Sequence, residues 1–161
     1  CNALETLVIN SKYLKENGDS VIDELLENNV EIFIDKRLSK EYPNCKVASR
    51  EDYLTEFHDY KIAIKVVDNL DQAIDHINTY SSGHTESILT TDHRVGERFA
   101  NSIDSSVVFI NASTRFTDGE VFGFGAEIGI STQKLHVRGP MGLEALTSER
   151  YIVSGDGQIR E

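Results

Sequence analysis

The chain has 161 residues, 39% of them hydrophobic and 27% charged, which suits one soluble domain with its own core. Its 27 acidic residues against 16 basic give a net charge of −11, and such a surface repels nucleic acid and anionic lipid, both of which are bound through lysine and arginine. Two cysteines, Cys1 and Cys45, are too few for a disulfide framework, no apolar run is long enough to span a bilayer, and the N-terminus is no signal peptide, so a reducing cytoplasm is expected.

Leu7-Val8-Ile9 predicts a short strand, followed by polar residues around Ser11 to Asp19. From Ser20 to Asn29, Val21, Ile22, Leu25 and Leu26 share one helical stripe, with Asp19 or Ser20 as its cap. Glu31 to Asp35 (EIFID) predicts a strand, Tyr42-Pro43-Asn44 a loop, and Lys46 to Ser49 a second short strand. Lys61 to Val67 (KIAIKVV) is the clearest strand in the chain. Asp68 to Asp71 supplies caps and acidic charge for a helix through Ile77 that buries Leu70, Ala73, Ile74 and Ile77. A strand at Ser87 to Thr91, a helix at His93 to Ser102 and a strand at Ser106 to Ile110 complete the alternation. Strand and helix in turn predict an α/β fold with a mostly parallel sheet and right-handed crossover helices. Beyond Asn111 the glycines at 119, 123, 125, 129, 139 and 142 interrupt helical periodicity, which predicts functional loop. The tail has a β-prone piece at Tyr151-Ile152-Val153 and a turn at Gly155-Asp156-Gly157.

Val67 to Ile88, VDNLDQAIDHINTYSSGHTESI, closely resembles the segment that characterises γ-glutamyl phosphate reductases, an aldehyde-dehydrogenase-like family. The matching positions are Val67, Ala73, Ile74, His76, Ile77, Tyr80, Ser81, Ser82, His84, Thr85, Glu86 and Ile88. The opening CNALETLVI and the stretch from Val107 to Ser148 resemble the same family. Asp118-Gly119-Glu120-Val121 departs from it, since the family usually has two glycines there. The family's enzymes are also longer, with a nucleotide-binding domain ahead of the cysteine. The resemblance therefore implies a catalytic domain at 1–142, an oligomerisation arm at 143–161, and a cofactor-binding domain missing upstream.

The resemblance implies an NADPH-dependent reductase of proline biosynthesis that converts glutamyl 5-phosphate to glutamate 5-semialdehyde. Cys1 matches the family's nucleophile. A thiolate attacking the acyl phosphate expels phosphate and leaves a thioester, which a hydride reduces to a hemithioacetal that collapses to the aldehyde. Phosphate is the leaving group, so no base is needed to activate water. The oxyanion donors would be the backbone N–H of Cys1 and a polar group of the missing domain. Cys45 reads as an incidental thiol.

Asn111-Ala112-Ser113-Thr114-Arg115 directly follows a strand, where ligands gather in open α/β sheets. Arg115 offers a planar fork for a carboxylate or phosphate, and Ser113 and Thr114 add hydroxyls; the alternative is a surface loop with a solvated arginine. Phe122 to Glu127 lacks the spacing and context of a dinucleotide fingerprint. By resemblance it is a loop lining the catalytic mouth, which makes Phe124 a substrate contact. Glu56 aligns loosely with the glutamate that aldehyde dehydrogenases place on the nicotinamide ribose, against an exposed loop acid as the alternative. His76 lies on an apolar helix face and is assigned a structural role; His84, in a turn before a strand, is open between turn and active site. No spacing of cysteine and histidine resembles a zinc site.

Three other readings compete. The chain could be the reductase half of a bifunctional pyrroline-5-carboxylate synthase, an N-terminal-nucleophile hydrolase using the α-amino group of Cys1, or a non-catalytic interaction module. The family's C-terminal arm implies a homo-oligomer in which Arg150 to Val153 forms an edge strand paired with another chain or with missing elements.

Overall fold

Four parallel strands form the larger sheet in a computed structural model that describes residues 2–17, 20–131 and 134–160. The chain enters it through β1 (Thr6–Asn10), then forms helices α1 (Ser11–Asn17) and α2 (Ser20–Glu27), strand β2 (Glu31–Ile34), the two-residue β3 (Lys46–Val47) and β4 (Lys61–Val67). Strand order is β1-β4-β2-β3, with Ile64 beside Leu7 and Ile62 beside Ile32. Ile62, Ala63, Ile64, Val66 and Val67 are all buried, so the unbroken apolar run of β4 reflects a central strand covered on both faces. One core gathers Ile9, Leu14, Ile22, Ile32, Ile34, Leu38, Ile62, Ile64 and Val66, with Cys45 packed at its margin.

Helix α3 (Leu70–Tyr80) follows, capped by Asn69, whose side chain accepts from the Gln72 N–H. Strand β5 (Thr85–Ile88), helix α4 (His93–Ser102) and strand β6 (Val107–Ile110) come next. Asp92 caps α4 by accepting from the N–H groups of Arg94 and Val95. β5 and β6 pair in parallel as a sheet of their own, over a second core of Ile74, Phe99 and Ile103. The parallel pairing and crossover helices match the expected fold class; the single sheet does not, because β5 leaves β4 to found the second one.

Several boundaries are corrected. The polar run from Ser11 is helix α1, missed because Leu14 is its one buried residue and leaves no stripe to read. The strand expected at Ser87 to Thr91 starts two residues earlier and ends at Ile88. Within the glycine-rich stretch, β7 (Ile128–Ile130) and β8 (Gly139–Met141) form a short antiparallel pair. Asp19, one of the two caps proposed for α2, lies outside the described residues, and Ser20 is helical. Arg150 to Val153 forms no strand within this chain, and Tyr151, Ile152 and Val153 are exposed.

Polar groups inside the fold are chosen for partners. Asp35, buried at the carboxyl end of β2, accepts from the N–H groups of Arg37 (2.9 Å) and Val66 (3.0 Å) and pairs with Lys65 Nζ at 3.0 Å. Burial pushes its carboxyl up, yet these partners hold it below the usual range. His76, 8% exposed, is wedged between Tyr53 and Tyr80, with ring centroids 4.7 Å from each. Burial, aided by the Lys65 charge, pushes its pKa down from 6.5 to about 4.

That shift gives a testable pH dependence. Between pH 4 and 6.5 the unfolded chain takes up a proton that folded His76 refuses, so the fold loses stability as pH falls through this window. His76→Gln should flatten the fall in thermal midpoint between those values. A variant curve parallel to wild type would remove His76 from the linkage.

Candidate active site

The site is built beside β5. Asn111 ends β6 in the left-handed region, with φ of 58°, a conformation that asparagine tolerates better than most residues. Its side chain locks the turn, Oδ1 accepting from the Thr90 N–H at 2.8 Å and Nδ2 donating to the Thr90 carbonyl at 2.9 Å. The chain then runs back along β5. Ser87 Oγ donates to the Ala112 carbonyl at 2.6 Å, and Thr85 Oγ1 donates to Thr117 Oγ1 at 3.0 Å. The segment expected at the carboxyl end of β6 therefore starts there and finishes at the opposite end of β5.

This segment grips the start of the chain. Ser113 Oγ accepts from the Arg115 N–H and opens a tight 3-10 turn over Thr114–Phe116. Thr114 Oγ1 donates to the Asn2 carbonyl at 2.8 Å, Asn2 Nδ2 donates to the Thr117 carbonyl at 2.7 Å, and Arg115 Nη1 donates to Asn2 Oδ1 at 2.7 Å. Three hydrogen bonds thus fasten the residue bonded to Cys1, which itself lies outside the described residues.

His84 sits where the segment ends. It is 2% exposed, and its Nδ1 meets Thr85 Oγ1 at 2.8 Å. Burial pushes its pKa down, while the carboxylates of Glu127 and Glu56 act the other way. Thr117, fully buried, joins His84 and Thr85 to Asn2.

The loop after Thr117 closes on itself. Asp118 accepts from the N–H groups of Glu120 and Val121, Phe124 N–H donates to the Gly119 carbonyl at 2.7 Å, and Gly119 N–H donates to Glu127 Oε2. A Cβ on Gly119 would stand 2.1 Å from the Ala126 carbonyl oxygen, so this turn admits glycine alone. Phe124 is half exposed, with Phe122 edge-on at 6.0 Å. Glu56 lies ahead of β4 with a 47% exposed side chain and His58 Nε2 at 3.5 Å. Its neighbour Phe57 stacks on Phe33 at 5.2 Å, which fixes the loop. Cys45 is partly buried, and burial raises its thiol pKa, which suits an inert thiol. Among the described residues, no three potential metal ligands gather.

The structure brings Thr114 and Arg115 onto Asn2, keeps Ser113 on the Arg115 N–H, and leaves Asn111 engaged with Thr90. Sequence reading missed Asn2, Thr117 and Glu127. Only Asn2 carried a signal, its place beside Cys1; a threonine and a glutamate in a glycine-rich loop have no periodicity to betray them.

Comparison with known proteins agrees with this architecture. The aldehyde dehydrogenase family model matches residues 62–147. A gamma-glutamyl phosphate reductase of Lachnospira eligens is 51% identical over 161 residues, covering 100% of this chain and 39% of that protein. The crystal structure of gamma-glutamyl phosphate reductase from Thermotoga maritima superposes with a TM-score of 0.86 at 47% identity, again over 100% of this chain and 39% of that one. The Saccharomyces cerevisiae enzyme of the same name gives a TM-score of 0.55 at 38% identity, over 75% of this chain and 32% of that one. The chain thus spans about two-fifths of the length of the curated relatives it matches. No helix among the described residues is long and apolar enough to cross a membrane.

Proposed function

The chain belongs to the aldehyde dehydrogenase family, and on that footing we propose that it is the cysteine-bearing catalytic part of an NADPH-dependent γ-glutamyl phosphate reductase of proline biosynthesis. The reaction converts L-glutamyl 5-phosphate to L-glutamate 5-semialdehyde and phosphate. The observation that carries this reading is the three-bond hold on Asn2, which spends the polar groups of 114–117 on the residue next to Cys1.

In this reading the Cys1 thiolate attacks the acyl carbon, phosphate departs, and a thioester remains; sulfur then leaves as the aldehyde forms. A bound nicotinamide supplies the hydride. Glu56, exposed and loosely paired with His58, fits a ribose diol as a hydrogen-bond acceptor. Arg115 uses one N–H on Asn2 and keeps others for the substrate's carboxylate or phosphate. Ser113 and Thr114 shape the turn beside it, Phe124 offers an apolar wall, and Asn111 contributes through the turn it locks. Residues 143–161 act as an arm to a second copy, supported by the exposure of Tyr151, Ile152 and Val153.

Arg115→Lys keeps the charge and loses the fork, so kcat/KM for the acyl phosphate should fall about tenfold, matching roughly 1.5 kcal/mol for a hydrogen bond to a charged group. An unchanged kcat/KM would return Arg115 to solvent. The function itself is tested in reverse with the full-length protein carrying this chain. Semialdehyde oxidation should produce NADPH only when inorganic phosphate is present. Equal rates without phosphate, with glutamate as product, would replace the reductase with a hydrolytic dehydrogenase.

A further inference from the structure

Arg115 is held by an amide, not by an acid. Its Nη1 donates to Asn2 Oδ1 at 2.7 Å, and among the described residues no carboxylate pairs with it. Arg37 faces Asp35 and Asp68, Arg98 faces Asp71, and Arg138 faces Asp104, so each of those guanidiniums has its charge cancelled close by.

Partners fix the orientation of the Asn2 amide. The Thr117 carbonyl can only accept, and it takes the bond from Asn2 Nδ2 at 2.7 Å. A guanidinium can only donate, so Oδ1 must face Arg115. Thr117 is fully buried, which anchors this end, and Thr114 Oγ1 ties the Asn2 carbonyl separately at 2.8 Å. Ser113 Oγ accepts from the Arg115 N–H, so the arginine is held at its backbone and at its tip while the residue stays exposed. Nε and Nη2, the edge that grips an oxyanion through two parallel bonds, have no partner among the described residues.

Resting on the reading of Arg115 as a substrate contact, we propose that Asn2 is a positioning residue, which presents the Arg115 fork to an anionic group of the substrate without cancelling its charge. An aspartate in its place would hold the arginine and neutralise it. The free charge matters in a chain of net charge −11, whose overall field repels anions. Holding the long side chain in advance also reduces the freedom it loses when the anion arrives. The group served is an oxyanion, which glutamyl phosphate carries at its carboxylate and at its phosphate.

Steady-state kinetics of semialdehyde oxidation by the full-length protein, with KM for phosphate and for semialdehyde measured separately, tests this. Asn2→Ala frees the fork, and Asn2→Asp, close in size, neutralises it. Each should raise one of the two KM values about tenfold and change kcat by about twofold or less, the pattern of lost uniform binding. In an Arg115→Ala background, either change should raise that KM no further, because the fork it acts through is gone. The KM that moves identifies the group, phosphate's for the leaving group and semialdehyde's for the carboxylate. Asn2→Asp keeps the side chain's size, so the comparison survives a failure of Asn2→Ala to fold. Unchanged KM values in the Asn2 variants, whatever happens to kcat, or increases that multiply with that of Arg115→Ala, would overturn the proposal. Unchanged KM values in Arg115→Ala alone would remove the substrate reading of Arg115, and the proposal with it.

Discussion

Cys1→Ala in the full-length protein is expected to lower acyl-phosphate reduction by on the order of 10³-fold or more while leaving NADPH affinity nearly unchanged. The size follows from the role. Without sulfur there is neither a nucleophile to displace phosphate nor a leaving group from which the aldehyde can depart, so the covalent route closes entirely. The hold on Asn2 runs through its own carbonyl and amide, and not through the side chain that is removed. The variant should therefore fold and bind cofactor as wild type does, which separates chemistry from architecture. Retained turnover with lost cofactor binding would reverse the assignment.

Phe99→Ala is expected to cost about 3–5 kcal/mol, read from denaturant unfolding. Phe99 is 2% exposed on α4 and shares its core with Ile74 and Ile103, backed by Leu70, Ile77, Ile88 and Val108. That core is small, so little surrounding structure can collapse into the void. The consequence reaches the site, because β5 and β6 carry the segment that holds Asn2. Reactivity of the active thiol should fall at denaturant concentrations that leave the β1–β4 sheet intact. A cost below 1 kcal/mol would mean that the β5–α4–β6 unit does not rest on this ring.

The local elements were legible where one physical signal dominated. The unbroken apolar run of β4 and the stripe on α3 each fix their element within a few residues. Helix α1 was hidden because one leucine anchors it. The split into two parallel sheets was hidden for a different reason: strand propensity says how a segment extends, not which neighbour it chooses. The signature from Val67 to Ile88 pointed to the family and to His84 but not to its burial. Nothing in the sequence announced that Asn2 would bond to residues more than a hundred positions away, since that contact depends on the left-handed turn at Asn111 sending the chain back along β5. The roles at Thr114 and Arg115 are read from their place directly after a strand and from their side-chain chemistry; their contact with Asn2 is a product of the fold.

The account stands most directly on a glutamyl thioester at Cys1. The full-length protein, mixed with freshly generated γ-glutamyl phosphate while cofactor is withheld, should yield a glutamyl group on the Cys1 peptide in mass spectrometry, and adding NADPH should remove it with release of the semialdehyde. A glutamyl group on another residue, or an unmodified Cys1 in protein that still reduces the acyl phosphate, would contradict it.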